Sequence, residues 1–311
     1  MRGPRGRQIS FDPPAGAFYA RGVDHDIIGV GTSAVARPRL RLRTPLPEPY
    51  TLLSGERLLR LARAVQGVGS FALITLGVCL NQFGRSSRVI RPLVRREIAR
   101  GGVRLLPMFL FLAAALGLVV IGQTVSWLTR VGAIQYLGTV MVVVVVRELG
   151  PLLTAMVVLA RVGTANVVEL GTARALGEVE ALEALGIDPV HYLVVPRVLG
   201  MATSMFALTV YMILGALVSG YLWAFLQDVP LLPSEYFRQF AGALGWMDFL
   251  LLGLKTTSFG GIIALVTSYH GLAQPLRLEE VSAATVSAVT QSVVACVVLD
   301  ALFMLSYLVP Q

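Results

Sequence analysis

The chain has 311 residues, 55% of them apolar and only 14% charged, with a mean hydropathy of +0.73; a soluble domain carries about 25% charged residues. Apolar runs near the spanning length of roughly 20 residues fill most of the chain after residue 100. The sequence therefore reads as an all-α integral membrane protein, which excludes a disordered chain, a collagen and a disulfide scaffold. The net charge of +8 is uneven: residues 1–104 hold 18 arginines against six acidic residues, and residues 105–311 hold eight basic residues against 12 acidic ones. A pI near 10 would point to nucleic acid in a soluble protein. Here the arginines precede the first span, so no nucleic-acid partner is expected, and the positive-inside rule puts the N-terminus in the cytoplasm.

Residues 1–50 are rich in Pro, Gly and Arg without apolar periodicity and read as a flexible basic cytoplasmic tail. Residues 51–104 read as an interfacial amphipathic helical region. Within it a helix is expected between Gly55 and Phe83, with Arg57, Arg60 and Arg63 ahead of an apolar run from Val68 to Leu80. Thirteen residues are short for a span, so an interfacial or re-entrant helix fits. Arg85, Arg88, Arg91, Arg95, Arg96, Arg100 and Arg104 follow, a basic segment that reads equally as orientation charges or as a lipid-attracting surface.

About five spanning helices are expected over residues 105–311: Leu105 to Leu128, Gly138 to Ala160, Val198 to Phe225, Phe249 to Tyr269 and Ala283 to Leu308. From a cytoplasmic start, five crossings leave the C-terminus outside. The connection 161–197 is then a cytoplasmic coupling segment, and Leu226 to Asp248 is an outer loop with room for a short helix. Small residues along the fifth span, from Ser282 and Ala283 to Ser292 and Ala295, read as a packing surface. Cys79 and Cys296 lie in apolar stretches and read as buried thiols.

Several chemistries lack their residues. No G-x-x-x-x-G-K-[ST] loop is present, so ATP binding by a P-loop is excluded, and His25, His191 and His270 belong to no metal-spaced cluster. No catalytic residue and no metal site is expected.

The informative residues are polar side chains at depth: Gln123, Arg147, Glu148, Lys255 and Asp300. A charge at the bilayer centre costs roughly 2.5–3.5 kcal/mol even on insertion scales, so such groups face a cavity or a partner. At 1.5 Å per residue, Lys255 and Asp300 both lie about 9–12 Å below the outer ends of their helices, where they can meet. Pro151 removes a backbone donor and crowds the carbonyl of Arg147, so the helix should kink beside the charges. Two readings follow: a polar-lined pocket opening outward, or ion pairs of Arg147 with Glu148 and Lys255 with Asp300 that fix packing. In the loop after the second span, Ala181, Leu182 and Leu185 form an apolar edge beside Glu178, Glu180 and Glu183, ended by Gly186 and Asp188-Pro189. This reads as a short amphipathic helix.

Arg147-Glu148-Leu149-Gly150-Pro151, Ala160-Arg161-Val162-Gly163, Glu169-Leu170-Gly171, Ala181 through Pro189 and Val195-Pro196-Arg197 together resemble the signature of MlaE-type (YrbE-like) permeases of ABC lipid transporters. The resemblance covers about Gly55 to Leu308. It implies a permease subunit of a bacterial inner membrane, N-terminus cytoplasmic and C-terminus periplasmic. Such a subunit pairs with a second copy of itself, a cytoplasmic ABC ATPase that holds ATP and Mg, and an MCE-domain protein, and leaves a STAS-domain subunit open. It further implies phospholipid or related lipid as cargo, a lipid pocket carrying Gln123, Arg147, Glu148, Lys255 and Asp300, and ATPase coupling through Arg161, Glu169, Arg174, Glu178, Glu180, Glu183 and Asp188. One departure is Leu176-Gly177-Glu178 where the family commonly has Thr-Glu-Gln; Gly177 inside a helix would weaken it by about 1 kcal/mol. The rivals from other classes are an ion-coupled secondary transporter with Glu148 and Asp300 as a proton relay, and a membrane scaffold that moves nothing.

Overall fold

The computed structural model describes residues 66–78, 87–226, 232–272 and 277–308. The basic tail and the expectations for residues 55–65 and 79–86, Cys79 included, lie outside the described residues. By its contacts the chain divides into Met1–Leu52 and Leu53–Gln311, and every described residue belongs to the second unit. Among the described residues there are helices and no strands.

Among the described residues five helices are long and apolar enough to cross a membrane: Ile90–Arg130, Ile134–Ala175, Val190–Leu226, Trp246–Leu272 and Leu278–Ser306. All five expected spans are there, but the first three are much longer than the apolar count allowed. Helical hydrogen bonding does not stop where the apolar run stops. In the first span it continues back through the arginines by way of the helix Ser87–Gly101 and a tight turn at Val103–Leu105. In the second it runs past Arg161, which hydropathy had put in a loop, to Ala175. The connection to the third span is thus a few residues around one short helix, Glu178–Ala184.

A core of Phe109, Met205, Leu208, Met212, Phe259 and Ile263 joins the first, third and fourth spans, with Cys296 of the fifth buried against it. Glycines allow these helices to approach closely. A Cβ on Gly117 would lie 2.1 Å from the carbonyl oxygen of Ala216, and one on Gly260 would lie 2.8 Å from the Cα of Ala202. In a membrane, where apolar burial against lipid gives little driving force, such contact is what holds helices together. The connecting helix Pro233–Ala243 is pinned by Tyr236, whose hydroxyl donates to the Leu217 carbonyl at 3.0 Å. Burial pushes that phenol well above its ordinary range.

The fifth span is the least enclosed. Only 17% of its most apolar stretch is buried inside the chain, against 39–50% for the other four. Ala288, Ser292 and Cys296, four residues apart, face inward, while Ser282, Ala283 and Ser287 are exposed. The expected small-residue surface is therefore split between two faces. The helix Gln66–Val78 meets the bundle through Phe71, which stacks edge-on against Tyr269 with ring centres 5.8 Å apart. Its Leu73, Ile74 and Leu76 are exposed.

Candidate functional site

Pro151 organises the buried charges through the backbone. Lacking an N–H, it leaves the carbonyl of Arg147 without its helical donor. The chain does not break. It widens into a π-helical turn over Val142–Leu149, in which the Gly150 N–H reaches back to the Val145 carbonyl. π-turns of this kind cluster at functional sites. The freed Arg147 carbonyl accepts a hydrogen bond from Lys255 Nζ at 2.7 Å, so the expected kink is realised as a widened turn whose loose carbonyl is taken by a side chain from the fourth span.

Lys255 is completely enclosed. Its ammonium also meets Asp300 Oδ1 at 2.6 Å and Glu148 Oε2 at 3.4 Å. The ammonium is thus held by two hydrogen bonds to the second span and an ion pair with the fifth, the kind of pairing that a charge removed from water requires.

The pairing differs from the sequence expectation in one respect. Lys255 does pair with Asp300, but Arg147 does not take Glu148, its chain neighbour. Its Nε lies 2.8 Å from Oδ1 of Asp248. Adjacent residues on a helix point in different directions, so Arg147 and Glu148 address different partners. Asp248 was read only as the end of an outer loop. It sits in the first turn of Trp246–Leu272, almost fully buried, and its other oxygen accepts the Gly245 N–H at 2.9 Å. There it caps the helix and complements its dipole. The available signal was an acid within the first turn after a Gly-Trp start. The centre therefore comprises two cations and three carboxylates, Asp248, Glu148 and Asp300. Gln123 is exposed on the first span and joins none of these pairs.

Beside Asp248 an apolar cavity of about 300 Å³ opens between the second, third and fourth spans, walled by Val146, Phe206, Ile213, Phe240 and Leu252. That is at the lower end of ligand-pocket size.

At the other end of the bundle the coupling residues form a second ionic centre. Glu169 accepts from Arg197 Nη2 at 3.0 Å and is paired with Arg100. The Glu169 carboxyl is drawn on by both cations, so it closes a clamp between the first, second and third spans. Arg174 pairs with Glu180 at 3.2 Å, fixing the short helix against the end of the second span. Arg161, Glu178, Glu183 and Asp188 are exposed, and Asp188 accepts the Val190 N–H at 2.9 Å. Gly177 is not inside the helix. It precedes Glu178–Ala184 with φ of 77°, a left-handed conformation that glycine adopts readily, so the expected helix penalty does not arise. The apolar edge is also shifted: Val179 is buried and Leu182 half-buried, while Ala181 and Leu185 are exposed. Leu176 and Leu185 thus present a bare apolar surface beside Glu178 and Glu183.

A model of the MlaE permease family matches residues 94–306. A probable ABC transporter permease protein of Rickettsia felis is 30% identical over 76% of the chain and 90% of its own length. One from Synechocystis is 34% identical over 65% of the chain and 76% of its own length. The chloroplastic trigalactosyldiacylglycerol 1 protein of Arabidopsis thaliana is 29% identical over 66% of the chain and 58% of its own length.

Proposed function

Because the chain belongs to the MlaE permease family and is an ABC transporter permease, we propose that it is the membrane-spanning subunit through which a lipid transporter of the bacterial inner membrane moves phospholipid or a related lipid to the outer envelope. The observation that carries the reading is the Lys255 centre: five ionisable side chains gathered about a π-turn next to an apolar cavity. Intramembrane charges are rare and mark substrate paths. A relative named for trigalactosyldiacylglycerol supports a lipid cargo.

In this reading ATP and Mg are held by a separate cytoplasmic ATPase. That subunit seats against the apolar Leu176 and Leu185 and their flanking acids, and an MCE-domain protein receives or delivers lipid outside. A second copy of the chain covers the bare face of the fifth span and closes the lipid pocket over Glu148 and Asp300. Gln123 contributes from the first span.

Arg147 and Lys255 are already neutralised by carboxylates, so a lipid phosphate reaches Arg147 only by displacing Asp248. ATP-driven motion of the helix Glu178–Ala184 and the clamp behind it supplies that opening, and acyl chains slide along the apolar walls. A phosphate paired with arginine in a low-dielectric site gains charge-assisted hydrogen bonds. Arg147→Ala and Glu148→Ala are expected to lower lipid transfer by the assembled complex tenfold or more, on the order of one lost charge-assisted contact, while the subunits still co-purify. Unchanged transfer in both variants removes the pocket.

A further inference from the structure

The buried centre uses every cation it has. The opposite end of the bundle does not. Arg96, Ala99, Arg100, Arg104 and Glu169 line a cavity of about 420 Å³. A second cavity of about 940 Å³ shares Arg100 and Glu169 with it and reaches Arg197. Glu169 is the one carboxylate lining the smaller cavity, and Glu97 is the other acid whose charge acts on Arg197. Glu178 also lines the larger cavity, so among the described residues four guanidinium groups face three carboxylates.

Arg197 is 5% exposed, and while its Nη2 is bonded to Glu169, its Nη1 is buried without a hydrogen-bond partner. A buried, unpartnered guanidinium nitrogen is costly unless an anion reaches it. Arg96 and Arg100 also lie one turn apart in the helix Ser87–Gly101, where like charges so placed are destabilising by themselves, and Arg104 follows in the tight turn Val103–Leu105. Both costs fall if a negative group occupies the space between them.

The position of the cluster says what kind of group. Charged residues end at Arg104 and the apolar run begins at Leu105, so the arginines ring the level where hydrocarbon gives way to headgroups. The adjoining cavity carries apolar wall from Val168, Leu170 and Leu193. A soluble anion has no use for such a wall, but the glycerol and upper acyl portion of a lipid does. Basic pockets between spans on this side of a membrane suit anionic headgroups.

We propose that Arg96, Arg100, Arg104 and Arg197 form a binding site for the phosphate of an anionic membrane lipid, separate from the Lys255 centre. The site does not depend on the transport reading, since a non-transporting scaffold would hold it equally. The test is native mass spectrometry of the full chain in detergent with added phosphatidylglycerol or phosphatidylcholine, with Arg96→Gln/Arg104→Gln as the variant. Both substituted arginines are exposed, so the variant keeps its fold, and an unshifted melting temperature verifies this. Phosphatidylglycerol is expected to be retained over phosphatidylcholine, and the variant should lose about fivefold in retention per arginine removed.

The same loss is expected when the double variant is made in an Arg147→Gln background, which separates this site from the proposed transport pocket. Equal retention of the two lipids overturns the proposal. So does displacement of phosphatidylglycerol by inorganic phosphate, which would mark a site for free phosphate. Unchanged retention in the double variant also overturns it and would assign the arginines to the acidic surface of a protein partner.

Discussion

The two ionic centres lie about 24 Å apart along the fourth span, from Lys255 to the level of Gly271, against which Leu170 packs. They are built on opposite terms. Around Lys255, two cations meet three carboxylates, and the ammonium is fully enclosed. Around Glu169, basic groups outnumber acids, Arg197 keeps one nitrogen unpartnered, and two cavities open onto the cluster. A charge in mid-membrane must be neutralised by the protein itself, because nothing else is there to do it. A charge at the membrane boundary can leave part of that task to a molecule from outside. The first centre therefore holds the helices in one arrangement until something displaces a partner, and the second is ready to receive an anion as it stands.

Substitutions can break or sharpen that contrast. The largest effect is expected from Lys255→Met, which strands Glu148 and Asp300 beside each other with no cation. Removing one partner of a buried pair costs about 3–5 kcal/mol, read as a large drop in melting temperature of the detergent-solubilised chain. Asp248→Asn keeps the shape and an acceptor for the Gly245 N–H but removes the negative partner of Arg147. A loss of about 1–3 kcal/mol is expected from the same melt. Arg96→Gln, at the exposed rim of the basic centre, should shift stability by no more than about 0.5 kcal/mol while still weakening retention of anionic lipid. If Arg96→Gln were as damaging as Lys255→Met, the two centres would not differ in kind.

Much of this was legible in the sequence. All five spans could be counted from apolar runs, and Lys255 with Asp300 could be paired from helical rise alone, because both are set by composition and spacing. Helix ends were not legible. The second span continues through Arg161 to Ala175, since backbone hydrogen bonding and packing against the fourth and fifth spans carry it beyond the hydrocarbon. Nor was the partner of Arg147. Its immediate neighbour Glu148 looked available, but choosing Asp248 required knowing how the second span faces the start of the fourth. Pro151 gave the right place for disturbed backbone and the wrong form, because a π-turn and a breaking kink begin from the same missing N–H. Gly177 was misread for a related reason. A glycine costs a helix only if the helix runs through it, and whether it does is decided by the φ of 77° and not by composition.

The central claim is that this permease moves lipid by means of nucleotide hydrolysis on a partner. It is tested most directly by placing the full chain with its cognate ATPase in vesicles and following transfer of a labelled phospholipid with and without ATP, and with an uncoupler. The account predicts transfer that requires ATP and is indifferent to the uncoupler. Transfer that persists without the ATPase and collapses with the uncoupler would contradict it and would make Glu148 and Asp300 a proton relay instead.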